Sequence, residues 1–168
     1  MPERMPCHTG GCQCGAVRYA LYVAPERAGI CYCRMCQKAV GGPFFAWASV
    51  RAADFAWTRG APAIFRSSSA ATRRFCATCG TPLTFRYDKE ADHIDVSIGS
   101  LDRPANVAPR MALGIESRPP WCDAAALTAL PTHRTGELGS PEDLTRIVNF
   151  QHPDHDTPAD WRPPAARA

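Results

Sequence analysis

The sequence predicts a mainly β, loop-rich fold organised around cysteine-based metal sites. Three observations lead there. The chain of 168 residues carries 12 glycines and 16 prolines, and its apolar runs are short, which favours strands and turns over a helical bundle. Several of those runs alternate apolar and polar residues, the period of a half-buried strand. Seven of the nine cysteines fall in three tight clusters: Cys12/Cys14, Cys31/Cys33/Cys36 and Cys76/Cys79.

The elements follow in chain order. Residues 7–23 read as a hairpin whose turn is Gly11-Cys12-Gln13-Cys14-Gly15, with Val17, Tyr19 and Leu21 alternating beyond it. A knuckle at 31–36 leads into a short helix from Arg34 to about Val40, ended by Gly41-Gly42-Pro43. Phe44–Val50 is aromatic and β-prone, and Phe55–Trp57 and Ala63–Phe65 are further short strands. Thr72–Phe75, the knuckle Cys76-Ala77-Thr78-Cys79-Gly80 and Leu83–Tyr87 form a strand–knuckle–strand unit resembling a zinc ribbon. His93–Ile98 alternates again, and Met111–Ile115 is the expected last strand of the core.

Beyond about Leu130 the composition shifts to turn-formers and charge. Ser140, Pro141 and Asp143 predict a helix start, with Leu144, Ile147 and Val148 on one face. Residues 151–168 are rich in Pro, His and Asp and read as an arm. The expected organisation is a metal-binding catalytic domain over 1–135 and a helix and Pro-rich arm over 136–168 that packs on it.

The clusters carry the chemistry. Cys12, Cys14, Cys76 and Cys79 supply four thiolates from two turns, enough to close a tetrahedral structural zinc site. Cys31, Cys33 and Cys36 supply three, which leaves a coordination position open and is the catalytic arrangement. Three anionic sulfurs make a soft site suited to zinc. Spacing alone leaves open that the 31–36 cluster exchanges partners with the other two, or that Cys7, Cys122 or a histidine completes it as a second structural site. Arg34, Lys38, Arg73 and Arg74 lie beside the clusters and offset thiolate charge. Phe44, Phe45 and Trp47 read first as core strand and second as a wall of the site. Cys122 reads as a buried thiol, Cys7 as a strand residue, and His152, Asp154 and His155 as surface polar residues of the arm.

Charge and sorting signals bound the function. The formal charge is +3, too small to imply a nucleic-acid partner, and seven thiolates with two Zn²⁺ bring it to zero. Met1–Gly11 has no apolar signal segment, and no run approaches the roughly 20 apolar residues of a membrane span. The expectation is a cytoplasmic protein with no membrane partner, its clustered thiols reduced and bound to metal. A homodimer is left open.

Gly11-Cys12-Gln13-Cys14-Gly15-Ala16-Val17-Arg18-Tyr19, Cys31-x-Cys33-x-x-Cys36, Phe75-Cys76-Ala77-Thr78-Cys79-Gly80 and Gly99-Ser100-Leu101-Asp102 together resemble the glutathione-dependent formaldehyde-activating enzyme family. The same domain occurs in centromere protein V. The resemblance covers roughly residues 7–121. It implies an Mss4-like fold, antiparallel sheets around a zinc ribbon, with short helices. It implies a structural zinc on Cys12, Cys14, Cys76 and Cys79 and a catalytic zinc on Cys31, Cys33 and Cys36. It also implies carbon–sulfur lyase chemistry on a thiol–aldehyde adduct such as S-hydroxymethylglutathione, with glutathione as co-substrate. Arg34, Lys38 and Arg118 are then candidate contacts for glutathione's anionic ends. Relatives often carry His where this chain has Tyr32, and Arg residues where it has Gln37-Lys38; neither change removes a ligand. The competing expectations are a non-catalytic zinc-stabilised binding module or chaperone of the same fold, and a methionine sulfoxide reductase of the B type using Cys122.

Overall fold

The computed structural model describes residues 4–134, 137 and 147–162. Two sheets hold the chain together. The smaller contains β1 (His8–Gly11), β2 (Arg18–Leu21) and β5 (Phe55–Arg59), antiparallel in the order β1-β2-β5. The larger has seven strands in the order β10-β3-β4-β9-β8-β7-β6. They are β3 (Arg27–Cys31), β4 (Phe45–Arg51), β6 (Ala63–Ser68), β7 (Ala71–Phe75), β8 (Pro82–Tyr87), β9 (His93–Ser97) and β10 (Ala112–Leu113). Helix α1 (Arg34–Val40) links β3 to β4, and a one-turn helix α2 (Ala124–Thr128) follows the sheets.

Alternation in β4 and β9 gives the large sheet two distinct faces. Ala48 and Val50 of β4 and Ile94 and Val96 of β9 point to the small sheet and pack with Tyr19, Leu21 and Leu83 in the main core. Phe45 and Trp47 point to the opposite face, where they pack with Cys36 in a second, smaller cluster. That second face carries the candidate site.

Most strands fall where the sequence pattern put them, and the differences have physical reasons. β3 escapes the pattern because its sequence, Arg-Ala-Gly-Ile-Cys, has little β propensity. Its glycine is required by close approach: a Cβ on Gly29 would lie 2.8 Å from both the Trp47 ring and the Met111 side chain. The last strand shrinks from Met111–Ile115 to two residues and pairs parallel to β3, making the large sheet mixed where the family resemblance implied antiparallel pairing. The long connection from β9 brings the chain back in the direction of β3, which permits a parallel ladder. β2 is buried along its whole length because it lies between β1 and β5.

The helix expected from Ser140 falls largely outside the described residues; Ile147 and Val148 of its apolar face are exposed and in no regular element. His152, expected on the surface, is 4% exposed. Its backbone N–H donates to the Gln13 carbonyl at 2.7 Å, and its ring packs edge-on against Trp161 at 4.5 Å. Gly15 makes room for this: its φ is +72°, and a Cβ there would strike the His152 ring. Below, Arg18 (3% exposed) donates to Asp102 at 2.7 and 2.5 Å and to Asp156 at 2.7 Å. One buried guanidinium thus ties the first hairpin, the loop after β9 and the 147–162 segment. Among the described residues no helix is long and apolar enough to cross a membrane.

Candidate metal centres and cavity

Two cysteine groups meet the geometry of a metal site, and among the described residues these are the groups that do. Neither partner exchange nor a disulfide intervenes: Cys12, Cys14, Cys76 and Cys79 converge, Cys31, Cys33 and Cys36 converge, and all nine cysteines are free. Within each group the sulfurs lie within 4.8 Å of one another.

The four-sulfur group is built from two turns. The Cys12 turn is closed by Cys12 N–H to Val17 O (2.9 Å) and Gly15 N–H to Cys12 O (3.0 Å). The second closes by Cys76 N–H to Thr81 O (3.0 Å) and Gly80 N–H to Cys76 O (2.9 Å). Thr81 joins them: its hydroxyl accepts from Gln13 N–H at 3.0 Å and lies 3.2 Å from the Cys79 sulfur. Sulfur separations of 3.6 Å (Cys12–Cys14) and 3.8 Å (Cys14–Cys76) bracket the edge of a tetrahedron with about 2.3 Å zinc–sulfur bonds, which is about 3.8 Å. Burial raises Cys12 and Cys14. It also raises Cys79, but hydrogen bonds from the Thr81 hydroxyl and from the Thr81 and Cys14 amides outweigh it and hold that thiol at about 6. Such a thiol offers a first anionic ligand, after which a metal displaces the remaining protons.

The three-sulfur group sits where β3 runs into α1. Cys31 ends the strand, Cys33 caps the helix and Cys36 lies one turn in, so three sulfurs share one side. Burial pushes Cys31 up to about 12. Burial also acts on Cys33, but the Cys36 and Met35 amides of the first helical turn bring its pKa below the ordinary thiol value. Cys36 is raised by burial against the opposing pull of Arg73, whose Nη2 donates to its sulfur at 3.3 Å. The Arg73 guanidinium also covers the Phe85 and Phe45 rings at 4.8 and 5.7 Å. Gln37, one position after the third cysteine, is buried; its amide donates to the carbonyls of Tyr32 (2.6 Å) and Ser117 (2.9 Å), fixing α1 against the loop after β10.

No fourth Cys, His, Asp or Glu joins this group among the described residues. The three sulfurs instead line a cavity of about 200 Å³ on the outer face of the large sheet. The strand register sets its floor: Arg27, Ser49, Asp95, Phe85 and Arg73 lie side by side across β3, β4, β9, β8 and β7. Asp95 is raised above the usual carboxylate range by burial, against the opposing effects of Ser49 and Arg27. Phe45 and Trp47 form part of the wall while remaining largely buried.

Of the basic residues read from the sequence, Arg73 reaches the cluster. Arg34 instead bonds the Gln37 side chain, Lys38 sits in the last turn of α1, and Arg118 lies 3.8 Å from Asp123; none of the three lines the cavity. Arg27 and Asp95, absent from the sequence reading, do line it. Their one signal was parity with Cys31 and with Phe45 and Trp47 on paired strands, which needs the register. Cys122 is 4% exposed and Cys7 is exposed beside β1.

Comparison with known proteins agrees with this architecture. The family model for glutathione-dependent formaldehyde-activating enzyme matches residues 7–117. The chain is 25% identical over 128 residues to an uncharacterized lyase of Schizosaccharomyces pombe, spanning 76% of this chain and 93% of the relative. It is 28% identical over 123 residues to a Halomonas elongata protein provisionally named a glutathione-dependent formaldehyde-activating enzyme, spanning 68% of this chain and 78% of the relative. A crystal structure of a Rhodobacter sphaeroides protein superposes with a TM-score of 0.50 at 24% identity, over 62% of this chain and 98% of that one, a likeness of fold. With a match over most of the chain and both cysteine groups assembled, the protein belongs to the glutathione-dependent formaldehyde-activating enzyme family.

Proposed function

We propose that the chain is a zinc-dependent enzyme of the carbon–sulfur lyase type. Its substrate is a thiol–aldehyde adduct such as S-hydroxymethylglutathione, made or broken at the 31–36 cluster. The observation that carries this reading is the three-sulfur group, short of a fourth protein donor and open to a cavity. The four-sulfur group is the structural zinc site, and residues 147–162 are part of an arm that packs on the catalytic domain.

Zinc on Cys31, Cys33 and Cys36 would hold an incoming thiol as thiolate at neutral pH and act as a Lewis acid. The chain's residues do the rest. Arg73 offsets the negative charge gathered at Cys36, and the Cys36 and Met35 amides do the same for Cys33. Phe45 and Trp47 keep water from that side of the cavity. Breaking the adduct's C–S bond gives the thiolate and the aldehyde and releases the adduct's hydroxyl proton. We assign that proton, in both directions, to Asp95, a carboxylate that lines the same cavity. Thiols add to formaldehyde readily without help, so the rate gain required of the site is modest.

The test is NMR exchange between glutathione plus formaldehyde and their adduct, with zinc-loaded chain and with Cys36→Ser as control. Acceleration only by the intact chain supports the reading. Equal exchange with both proteins, repeated across other thiol–aldehyde pairs, leaves the non-catalytic binding module.

A further inference from the structure

We infer that the cavity beside the 31–36 cluster selects a thiol substrate whose sulfur carries a bulky apolar group of benzyl size, in preference to the polar tripeptide glutathione. The inference rests on the proposed thiol-binding role of that cluster and adds the substrate class.

Its basis is the wall. Met35, Phe45, Trp47, Phe85, Tyr87 and Leu113 face the cavity. A one-carbon aldehyde uses almost none of that surface, and four aromatic rings offer nothing to glutathione's two carboxylates. The charged lining groups are few and of both signs. Arg73 is committed to the Cys36 sulfur and stacked over two rings. Arg27 shares its register row with Asp95 and counters that carboxylate's burial. Glu90 and Asp95 balance the two arginines, and three thiolates with Zn²⁺ leave one negative charge, so the cavity holds no excess positive charge to draw a polyanionic ligand. What remains for a ligand is ring surface next to three sulfurs. About 200 Å³ accommodates an aryl group with its sulfur and not a whole tripeptide. A pocket that offers ring faces and no excess positive charge favours an apolar ligand and penalises an unpartnered polar one.

The test is calorimetric titration of zinc-loaded full-length chain with 2-mercaptoethanol, butanethiol, benzyl mercaptan and glutathione, with chain stripped of its weaker zinc as control. Benzyl mercaptan should bind at least about tenfold tighter than 2-mercaptoethanol and tighter than glutathione. A negative heat-capacity change should mark the burial of its ring. Leu113→Asp, at a half-exposed position outside the core, should erase the benzyl advantage. Glutathione binding as tightly as benzyl mercaptan, or an unaltered preference in Leu113→Asp, overturns the inference while leaving the thiol-binding reading intact. Absence of zinc-dependent binding by every thiol overturns the thiol-binding reading and the inference with it.

Discussion

Replacing Arg73 by Met should weaken zinc at the 31–36 cluster and leave the other zinc alone. The arginine makes a charge-assisted hydrogen bond to the Cys36 sulfur at 3.3 Å and covers Phe85 and Phe45. Methionine keeps the apolar cover, so the change isolates the charge and the donor. Coulomb's law at 3.3 Å with an effective dielectric near 20 gives about 5 kcal/mol as a ceiling, before the cost of desolvating the guanidinium. Hydrogen bonds to charged groups contribute about 1.5–3 kcal/mol net. Losing a partner that orients a metal ligand costs roughly 10–100-fold in metal affinity, in agreement with that range. The assay is zinc release from the full chain against graded chelator, in which the two sites empty in separate steps. The three-sulfur step should move by roughly 10–100-fold to lower chelator. The four-sulfur step, in the same tube, is the reference. An unmoved first step refutes the assigned role of Arg73, and an equal shift of both steps reveals general destabilisation instead.

Three further outcomes follow from the same structure. Cys76→Ser should lose both the structural zinc and the cooperative fold, because structural zinc contributes on the order of 10 kcal/mol, comparable to a domain's whole stability; Cys31→Ser should keep its circular dichroism and one zinc per chain. Asp102→Asn should cost about 1.5–3 kcal/mol at neutral pH, because Arg18 loses its buried carboxylate and keeps only the more exposed Asp156. Burial raises Asp102 but Arg18 and Thr9 hold its pKa below the usual value, so the contribution is full above about pH 4 and is lost as pH falls through the depressed folded value; thermal melts of the two proteins should converge on acidification. Asp95→Asn should return adduct exchange most of the way to the uncatalysed rate with both zincs retained, and should abolish the loss of activity expected of the native chain as pH drops through the raised Asp95 pKa; unchanged exchange would remove Asp95 from proton transfer.

The metal ligands were legible in the sequence because knuckles are local. A turn bearing two or three cysteines keeps its meaning wherever the fold puts it, and so Cys12, Cys14, Cys31, Cys33, Cys36, Cys76 and Cys79 could be grouped before any strand was paired. Equally plain were β4 by its aromatic, β-prone run, β8 by the strand–knuckle–strand unit and β9 by its alternation. What escaped was non-local. β3 is a strand by virtue of its neighbours, β4 and β10, which supply the partners that Arg-Ala-Gly-Ile-Cys cannot advertise. Arg27 and Asp95 come into one row of the sheet only through the register of three strands. Arg34 and Lys38 adjoin the cysteines in sequence, yet Arg34 spends its guanidinium on Gln37, while Arg73, 37 residues from Cys36, makes the contact. His152 reads as surface from a Pro-rich context; its burial depends on a cleft left by Gly15.

The two clusters share a ligand type and differ in where the large sheet puts them. Cys12 and Cys76 belong to the core between the sheets, so a metal there replaces apolar packing and fastens two turns that Thr81 also joins. The outer face of the same sheet carries Cys36 beside Phe45 and Trp47, and among the described residues no second sheet closes over it. A fourth protein ligand on that side would have to come from an opposing layer, and none of the described residues forms one over the cluster. The open coordination position therefore follows from topology as much as from cysteine count. A chain that buried both faces of its seven-stranded sheet would gain stability and leave its three-sulfur site without a cavity.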